Sequence, residues 1–395
     1  MVIGQSGGPT AVINQSLIGA VKEALKHPEI TGIYGMKHGI KGILKEQFID
    51  LKQENPDDLE LIASTPASAL GSCRHKPTPA DCQKVFEVFA KYKVKYWFYI
   101  GGNDSAETCH VVNQIAQEKN YELRIFHIPK TIDNDLAVTD HCPGFPSAAR
   151  YVALCFQGND LDNRALPGVK IDVVMGRHAG WLTAAAGLAK TTEDSGPHLI
   201  YVPEVSVTLD KIVQDIDACY AKYGRCLVAV SEGITGPDGK LIAESFITEK
   251  DSHGNVQLSG SGALGDLLAG YVKTHSTNEK LKLRSDTLGY AQRSFPGVYS
   301  KVDRAEARLV GEEAVKYAIK GDIDGSVSLK RIGEYAIEPD LVPLKEVAGK
   351  TKTLPRDYIN ADGNGVTENF LTYLRPLVGD LPQIGRFKEV PVVKV

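Results

Sequence analysis

The feature that most restricts what this chain can fold into is the alternation of short apolar runs with helix-patterned stretches. Apolar runs fall near Ile33 and at 96–100, 125–128, 171–174, 199–202 and 226–230. Strands separated by helices return parallel to one another, so the alternation predicts parallel sheets and an α/β fold. One intervening helix is legible in detail: Leu209, Ile212, Ile216, Cys219 and Tyr220 recur at helical spacing behind Thr208, a cap residue, and Gly224 ends it before the next strand. That stripe reads as core. The opening strand, 1–5, is short. At 395 residues the chain exceeds one ordinary domain, which predicts two units with separate cores. Its 38 glycines and 7% aromatic content suit a loop-rich protein whose sites lie where strands end.

Three of those strand ends carry the residues of phosphate chemistry. The apolar run 123–128 leads into Pro129-Lys130-Thr131-Ile132-Asp133-Asn134-Asp135, which sets two carboxylates and a cation on one loop. A phosphoryl-transfer transition state spreads charge over the phosphoryl oxygens, so a protein must position the reactants, supply cations and accept one proton from the attacking hydroxyl. Asp133, Asp135 and Lys130 are the equipment for all three. Thr-x-Asp-Asn is also common turn chemistry, and on this loop alone the two readings stand level. The strand-like stretch 94–100 runs into Gly101-Gly102-Asn103-Asp104-Ser105 and then a helix-compatible 106–118. Two glycines admit close backbone approach to a phosphate, and free N–H groups at the helix start make an anion seat beside Asp104, a candidate metal ligand. Gln5-Ser6-Gly7-Gly8-Pro9-Thr10 precedes a helical stretch, 11–27, with Pro9 placed to start the helix.

In this order the three loops resemble the phosphofructokinase family, and the resemblance runs through nearly the whole chain. Leu70-Gly71-Ser72-Cys73-Arg74 is similar to the family's glycine-serine-x-arginine segment, Met175-Gly176-Arg177 to its sugar-contacting turn and Ser231-Glu232-Gly233 to its glutamate loop. Leu288-Gly289-Tyr290-Ala291-Gln292-Arg293 and Asp303-Arg304 are similar to its later signatures. The resemblance implies two doubly wound Rossmann-like domains with the active site in the cleft between them. It puts a phosphoryl-donor domain at 1–145 plus about 297–340, and a fructose 6-phosphate domain at 146–296 plus about 341–395. The implied activity is a reversible, Mg2+-dependent phosphorylation of fructose 6-phosphate to fructose 1,6-bisphosphate. In it Asp133 is the base, Thr131 orients the reacting groups, Asp135 supports Asp133 or the metal, and Lys130 and Arg177 neutralise developing charge. Gly7, Gly8, Arg74, Gly102, Asn103, Asp104 and Ser105 receive the donor, with Asp104 on the metal. Met175, Gly176, Arg177, Glu232, Arg284, Tyr290 and Arg293 receive the sugar phosphate.

Within the family, ATP users carry glycine after the acidic residue of the Gly-Gly-Asp loop and glycine before Thr-Ile-Asp, where this chain has Asp104 and Lys130. A carboxylate and a long cation there fill the space, and oppose the charge, of a nucleotide's α-phosphate, so the resemblance implies pyrophosphate as donor. Met175-Gly176-Arg177-His178-Ala179-Gly180-Trp181 and Tyr373-Leu374-Arg375-Pro376-Leu377 also resemble the longer pyrophosphate-dependent members. Two departures stand out. Asn103 occupies a position where the family usually has aspartate, which leaves metal binding to Asp104 and the pyrophosphate oxygens. The arginine that neighbouring subunits offer to the sugar phosphate has no clear counterpart, leaving Arg164 or Lys170 to serve.

Seven cysteines, at 73, 82, 109, 142, 155, 219 and 226, show neither a Cys-x-x-Cys pair nor metal-finger spacing and read as reduced thiols, and the ten histidines form no metal-ligand pair. A formal net charge of −4 argues against nucleic-acid binding, so cations for phosphates must be gathered locally, from Arg74, Lys130, Arg177, Arg284 and Arg293. No apolar run is long enough to span a membrane and no signal region opens the chain, so the expectation is a cytoplasmic protein, a homodimer or homotetramer as the family implies. The stretch 233–262, with Gly-Pro-Asp-Gly and Ser-Gly-Ser-Gly, reads as a loop or hairpin insertion. Two rivals remain: an ATP-dependent kinase on the same scaffold, and a non-catalytic regulatory paralogue silenced through Asn103. Asp104 and Lys130 argue against the first, and intact Asp133, Asp135, Lys130 and Arg177 against the second.

Overall fold

A computed structural model describes residues 1–245 and 262–388, which build two sheets with parallel cores. The strands are β1 (Val2–Gln5), β2 (Tyr34–Met36), β3 (Phe48–Asp50), β4 (Tyr96–Gly101), β5 (Arg124–Pro129), β6 (Val169–Val174), β7 (Leu199–Tyr201), β8 (Cys226–Ser231), β9 (Leu283–Thr287), β10 (Asp324–Ile332) and β11 (Ala336–Val342). The larger sheet has the order β11-β10-β5-β4-β1-β2-β3 and the smaller β7-β8-β6-β9. The five inner strands of the larger sheet and all four of the smaller are parallel.

Burial on both faces explains the unbroken apolar runs. In β4, Tyr96, Phe98 and Ile100 pack with Ile3 and Phe126 beneath helices Ile13–Ala24 and Lys301–Lys320. Trp97 and Tyr99 turn to the opposite face with Val2 and Ile125, covered by helices Pro79–Lys91 and Asn103–Glu118. Where Ile13–Ala24 crosses Lys301–Lys320 the backbones touch: a Cβ on Gly311 would lie 2.1 Å from the Ser16 carbonyl oxygen, and one on Gly19 would lie 2.3 Å from that of Arg308. In the smaller sheet Val169, Ile171, Val173, Val228 and Val230 face helices Leu209–Tyr223 and Ala263–His275. Val174, Leu227, Ala229 and Ile200 face helices Phe145–Ala165 and Glu368–Val378. Thr208 caps its helix by accepting from the Lys211 N–H, and Gly224 closes it at φ 68°.

Several expectations shift. Pro9 does not open a helix; it stays in the loop after β1, and the helix begins at Ile13. Strands β3 and β11 are antiparallel additions at the edges of the larger sheet. Ile132 and then Phe145 are the first residues packed into the smaller-sheet core, while β11 and then Leu344 and Val347 pack on the larger-sheet side. Leu354 and Ile359 then join the Phe145 cluster on the smaller sheet. Of the stretch 233–262, Thr235 and Leu241 bridge as a hairpin around Gly236-Pro237-Asp238-Gly239, and 246–261 lie outside the described residues. Among the described residues no helix is long and apolar enough to cross a membrane.

In the larger sheet the chain leaves β1 for β2 on one side while β4 joins on the other; in the smaller, β6 lies between β8 and β9. Such switch points leave crevices at the carboxyl ends of the strands. Both crevices open on one cavity of about 780 Å³.

Candidate active site

On the larger-sheet side the loops after β1, β4 and β5 are tied into one floor. Ser6 Oγ lies 2.5 Å from Ser105 Oγ and donates to the Ile100 carbonyl at 3.1 Å, so the first loop is stitched to the start of helix Asn103–Glu118. Ser72 Oγ holds the Gly7 carbonyl at 2.6 Å, which brings the Leu70–Arg74 segment alongside. Lys130 is 4% exposed, and its Nζ donates to the Gly8 carbonyl at 2.8 Å. The cation thus supports the glycine turn while it faces the cavity. Gly102 stands at the N-cap without a side-chain cap for the helix, and Asn103 and the exposed Asp104 of its first turn line the cavity. Asn103 Nδ2 donates to the Lys350 carbonyl at 2.7 Å, so its Oδ1 remains as a neutral oxygen.

The loop after β5 is shaped by its own polar groups. Thr131 Oγ1 accepts from the Asp133 N–H at 3.0 Å. Asn134, buried at φ 55°, accepts from the Cys142 N–H at 3.0 Å and donates to the Tyr373 hydroxyl at 3.2 Å. With Asn134 turned inward, Asp133 and Asp135 on either side line the cavity. Thr131 and Asn134 thus hold the turn, and the same turn sets Asp133 and Asp135 on the cavity wall.

On the smaller-sheet side, Met175, Gly176 and Arg177 follow β6, Glu232 follows β8, and Tyr290 and Arg293 come after β9. The Gly176 N–H points at Glu232 Oε1 at 3.5 Å, and Ser231 Oγ donates to the Gly176 carbonyl at 2.5 Å. A Cβ on Gly233 would sit 2.0 Å from the Arg177 carbonyl oxygen, so only glycine permits the two loops to meet. Gln292 donates to the Gly289 carbonyl at 2.7 Å and accepts from the Met175 N–H at 3.3 Å. Arg293 lies 4.9 Å from the Tyr290 ring centroid and reaches across toward Gly8.

The charges are mutually dependent. Burial pushes the Asp133 carboxyl up to about 7, with Asp135 and Glu232 adding like charge. Burial brings Lys130 down to about 8, helped by Arg293, and lowers Arg293, helped by Arg74. Asp133 is poised to exchange a proton near neutrality between a donor-side cation and sugar-side cations. The oxygen set also fits a small hard cation: Asp135 Oδ1 is buried without a hydrogen-bond partner, and Asp104 and Asn103 line the same cavity.

Sixteen of the expected residues line this cavity: Gly7, Gly8, Arg74, Gly102, Asn103, Asp104, Ser105, Lys130, Thr131, Asp133, Asp135, Met175, Arg177, Glu232, Tyr290 and Arg293. Gly176 stands behind them as backbone. Arg284 does not join them: it lies near the start of β9, away from the carboxyl end, and pairs with Asp162 at 3.3 Å. Arg164 is held by Asp160 and Asp194, and Lys170 by Asp286 at 2.8 Å. Sequence reasoning missed His75, Lys76 and His178 on the cavity wall. His178 and Lys76 each adjoin or closely follow a motif arginine, which was the available signal.

The phosphofructokinase family profile, described as "Phosphofructokinase", matches residues 1–318. The pyrophosphate–fructose 6-phosphate 1-phosphotransferase of Rhodospirillum rubrum is 53% identical, over 100% of this chain and 98% of that protein. The Halomonas elongata protein of the same name is 38% identical over 95% and 90%. A crystal structure of a pyrophosphate-dependent phosphofructokinase from Marinobacter aquaeolei has a TM-score of 0.85 at 34% identity, covering 99% of this chain and 94% of that one. Sheet order, cavity and motif loops agree with a match that runs from the first glycine turn past the Arg293 segment, and the chain belongs to the phosphofructokinase family.

Proposed function

We propose that the chain transfers a phosphoryl group from pyrophosphate to O1 of fructose 6-phosphate, reversibly. The observation that carries this reading is Asp133: a carboxyl poised near neutrality, between Lys130 at the donor loops and Glu232, Arg177 and Arg293 at the sugar loops. The 1-hydroxyl oxygen attacks the terminal phosphorus in line, its proton passes to Asp133, the new O–P bond forms as the bridging P–O bond breaks, and phosphate leaves. Thr131 orients the loop, and Lys130 and Arg177 meet the charge on the transferring oxygens. Met175 packs against the sugar, Glu232 accepts from its ring hydroxyls, and Tyr290 and Arg293 receive the 6-phosphate. Asp104, Asn103 Oδ1 and Asp135 are the oxygens that would hold Mg2+, which when bound neutralises pyrophosphate oxygens. Pyrophosphate is favoured over ATP because Asp104 and Lys130 crowd and oppose an α-phosphate. Unpaired thiols at all seven cysteines agree with a cytoplasmic location. Exposed Phe295 and Tyr299, in the segment that follows Arg293, agree with a homodimer or homotetramer.

A reverse assay tests the reading. Fructose 1,6-bisphosphate, phosphate and Mg2+ should yield pyrophosphate and fructose 6-phosphate, because a phosphate ester is exchanged for a phosphoanhydride without a nucleotide. No pyrophosphate formed at any substrate concentration would contradict it.

A further inference from the structure

Away from the cleft, Cys219 in the last turns of helix Leu209–Tyr223 and Cys226 at the start of β8 are folded against each other by the Gly224 turn. Their Sγ atoms and a ring nitrogen of His198 all lie within 4.8 Å of one another. A His-Cys-Cys trio suggests a metal centre, but the hydrogen bonding of the ring opposes one. His198 Nδ1 accepts from the Leu227 N–H at 2.9 Å, so the neutral ring carries its hydrogen on Nε2, which is buried and has no partner. A ring fixed in that tautomer offers a donor, not a lone pair. The neighbourhood is also cationic: Arg225 adjoins the pair, and Lys190 and Lys222 act on Cys219. An N–H donor and three cations suit a thiolate better than a divalent ion.

The two sulfurs differ. Cys219 keeps 9% exposure and Cys226 none. Lys190 and His198, though neither cysteine, are among the residues that line a separate cavity of about 530 Å³. The Cys219 thiol donates to the Arg225 carbonyl at 3.6 Å, and it is lowered by the neighbouring Cys226 and by Arg225, Lys190 and Lys222, against its burial. Burial raises Cys226, Cys82, Cys109, Cys142 and Cys155.

We propose that Cys219 and Cys226 form a reactive dithiol, a modification site that hydrogen peroxide converts to a disulfide. Cys219 thiolate attacks a peroxide oxygen, an S–O bond forms as the O–O bond breaks, and the released hydroxide is protonated to water. Cys226 sulfur then attacks the sulfenic sulfur, the S–S bond forms, and the displaced hydroxide takes the Cys226 proton and leaves as a second water. Two thiols and one peroxide give one disulfide and two waters. The ladder of oxidation starts at the more exposed thiol, and Cys226 resolves it.

The full chain is titrated with hydrogen peroxide, alkylated and digested for mass spectrometry. The expected product is a cross-link between the peptides bearing Cys219 and Cys226, reversed by dithiothreitol, at peroxide levels that leave Cys82, Cys109 and Cys142 alkylatable. Cys219 should alkylate at least about tenfold faster than Cys82 in the reduced chain. Cys226→Ser should stop at a Cys219 sulfenic acid trapped by dimedone; if that variant does not fold, the wild-type cross-link decides alone. Peroxide that leaves both cysteines reduced, or links either to another cysteine, overturns the proposal. So does stoichiometric Zn2+ binding to the reduced chain that Cys219→Ser abolishes, since the trio would then be a metal centre.

Discussion

At the residue scale the decisive group is Asp133, whose carboxyl is pushed up to about 7 by burial and by Asp135 and Glu232. Asp133→Asn keeps the shape and removes the proton acceptor, so the turnover number should fall by about 10² to 10⁴, with Michaelis constants moving less. The same change should stabilise the fold. A carboxyl raised in the folded state keeps its proton where the unfolded chain has lost it, so stability falls as pH climbs toward about 7 and stays lowered above it. At pH above that value Asp133→Asn should gain about 1–3 kcal/mol, after discounting for water in the cleft, and should gain nothing in acid. Thermal denaturation across pH reads this directly, and an equal effect at all pH values would contradict it. For the wild type, kcat/KM should rise through about 7 as Asp133 ionises and fall above about 8 as Lys130 loses its proton. The acidic limb should vanish in Asp133→Asn. Asn103→Asp should raise the Michaelis constant for pyrophosphate, because the new carboxylate would face the Lys350 carbonyl that Asn103 now donates to, beside Asp104. Tighter Mg2+ use with unchanged pyrophosphate affinity would refute that expectation.

At the element scale the strand-end loops were legible because each joins an apolar run to residues of unusual chemistry. What the sequence could not display is how one residue serves two loops. Lys130 looks like a donor-binding cation, yet it also holds the Gly8 carbonyl at 2.8 Å, a contact spanning 122 residues. Lys130→Gly should therefore lower turnover with pyrophosphate by more than lost charge alone, while Asp104→Gly should chiefly relieve exclusion of ATP. The two should be non-additive, and the ATP-to-pyrophosphate efficiency ratio should rise in the double variant. An unchanged ratio in all three variants would place donor choice elsewhere. The crossing of Ile13–Ala24 and Lys301–Lys320 was equally hidden, since Gly19 and Gly311 lie far apart in the chain. Gly311→Ala forces a Cβ to 2.1 Å from backbone and should cost about 1–3 kcal/mol in chemical denaturation. A near-neutral result would mean that the crossing can slide.

At the scale of the whole molecule, the parallel sheets were readable from the alternation of apolar runs and helical stretches. The antiparallel edges were not, because β3 is only three residues and β11 has half-exposed, alternating side chains with Pro339 inside it. Arg284 shows the same limit. The family resemblance grouped it with Tyr290 and Arg293 at the sugar phosphate, but the cleft lies at the carboxyl end of β9 and Arg284 near the other. Two crevices facing one cavity are the property that only the assembled chain possesses, and the central claim is that a pyrophosphate donor and a sugar acceptor meet across it. The most direct test is kcat/KM for fructose 6-phosphate phosphorylation with pyrophosphate and with ATP, each with saturating Mg2+. The prediction is robust turnover with pyrophosphate and poor turnover with ATP; equal efficiency with both, or turnover with neither, would contradict it.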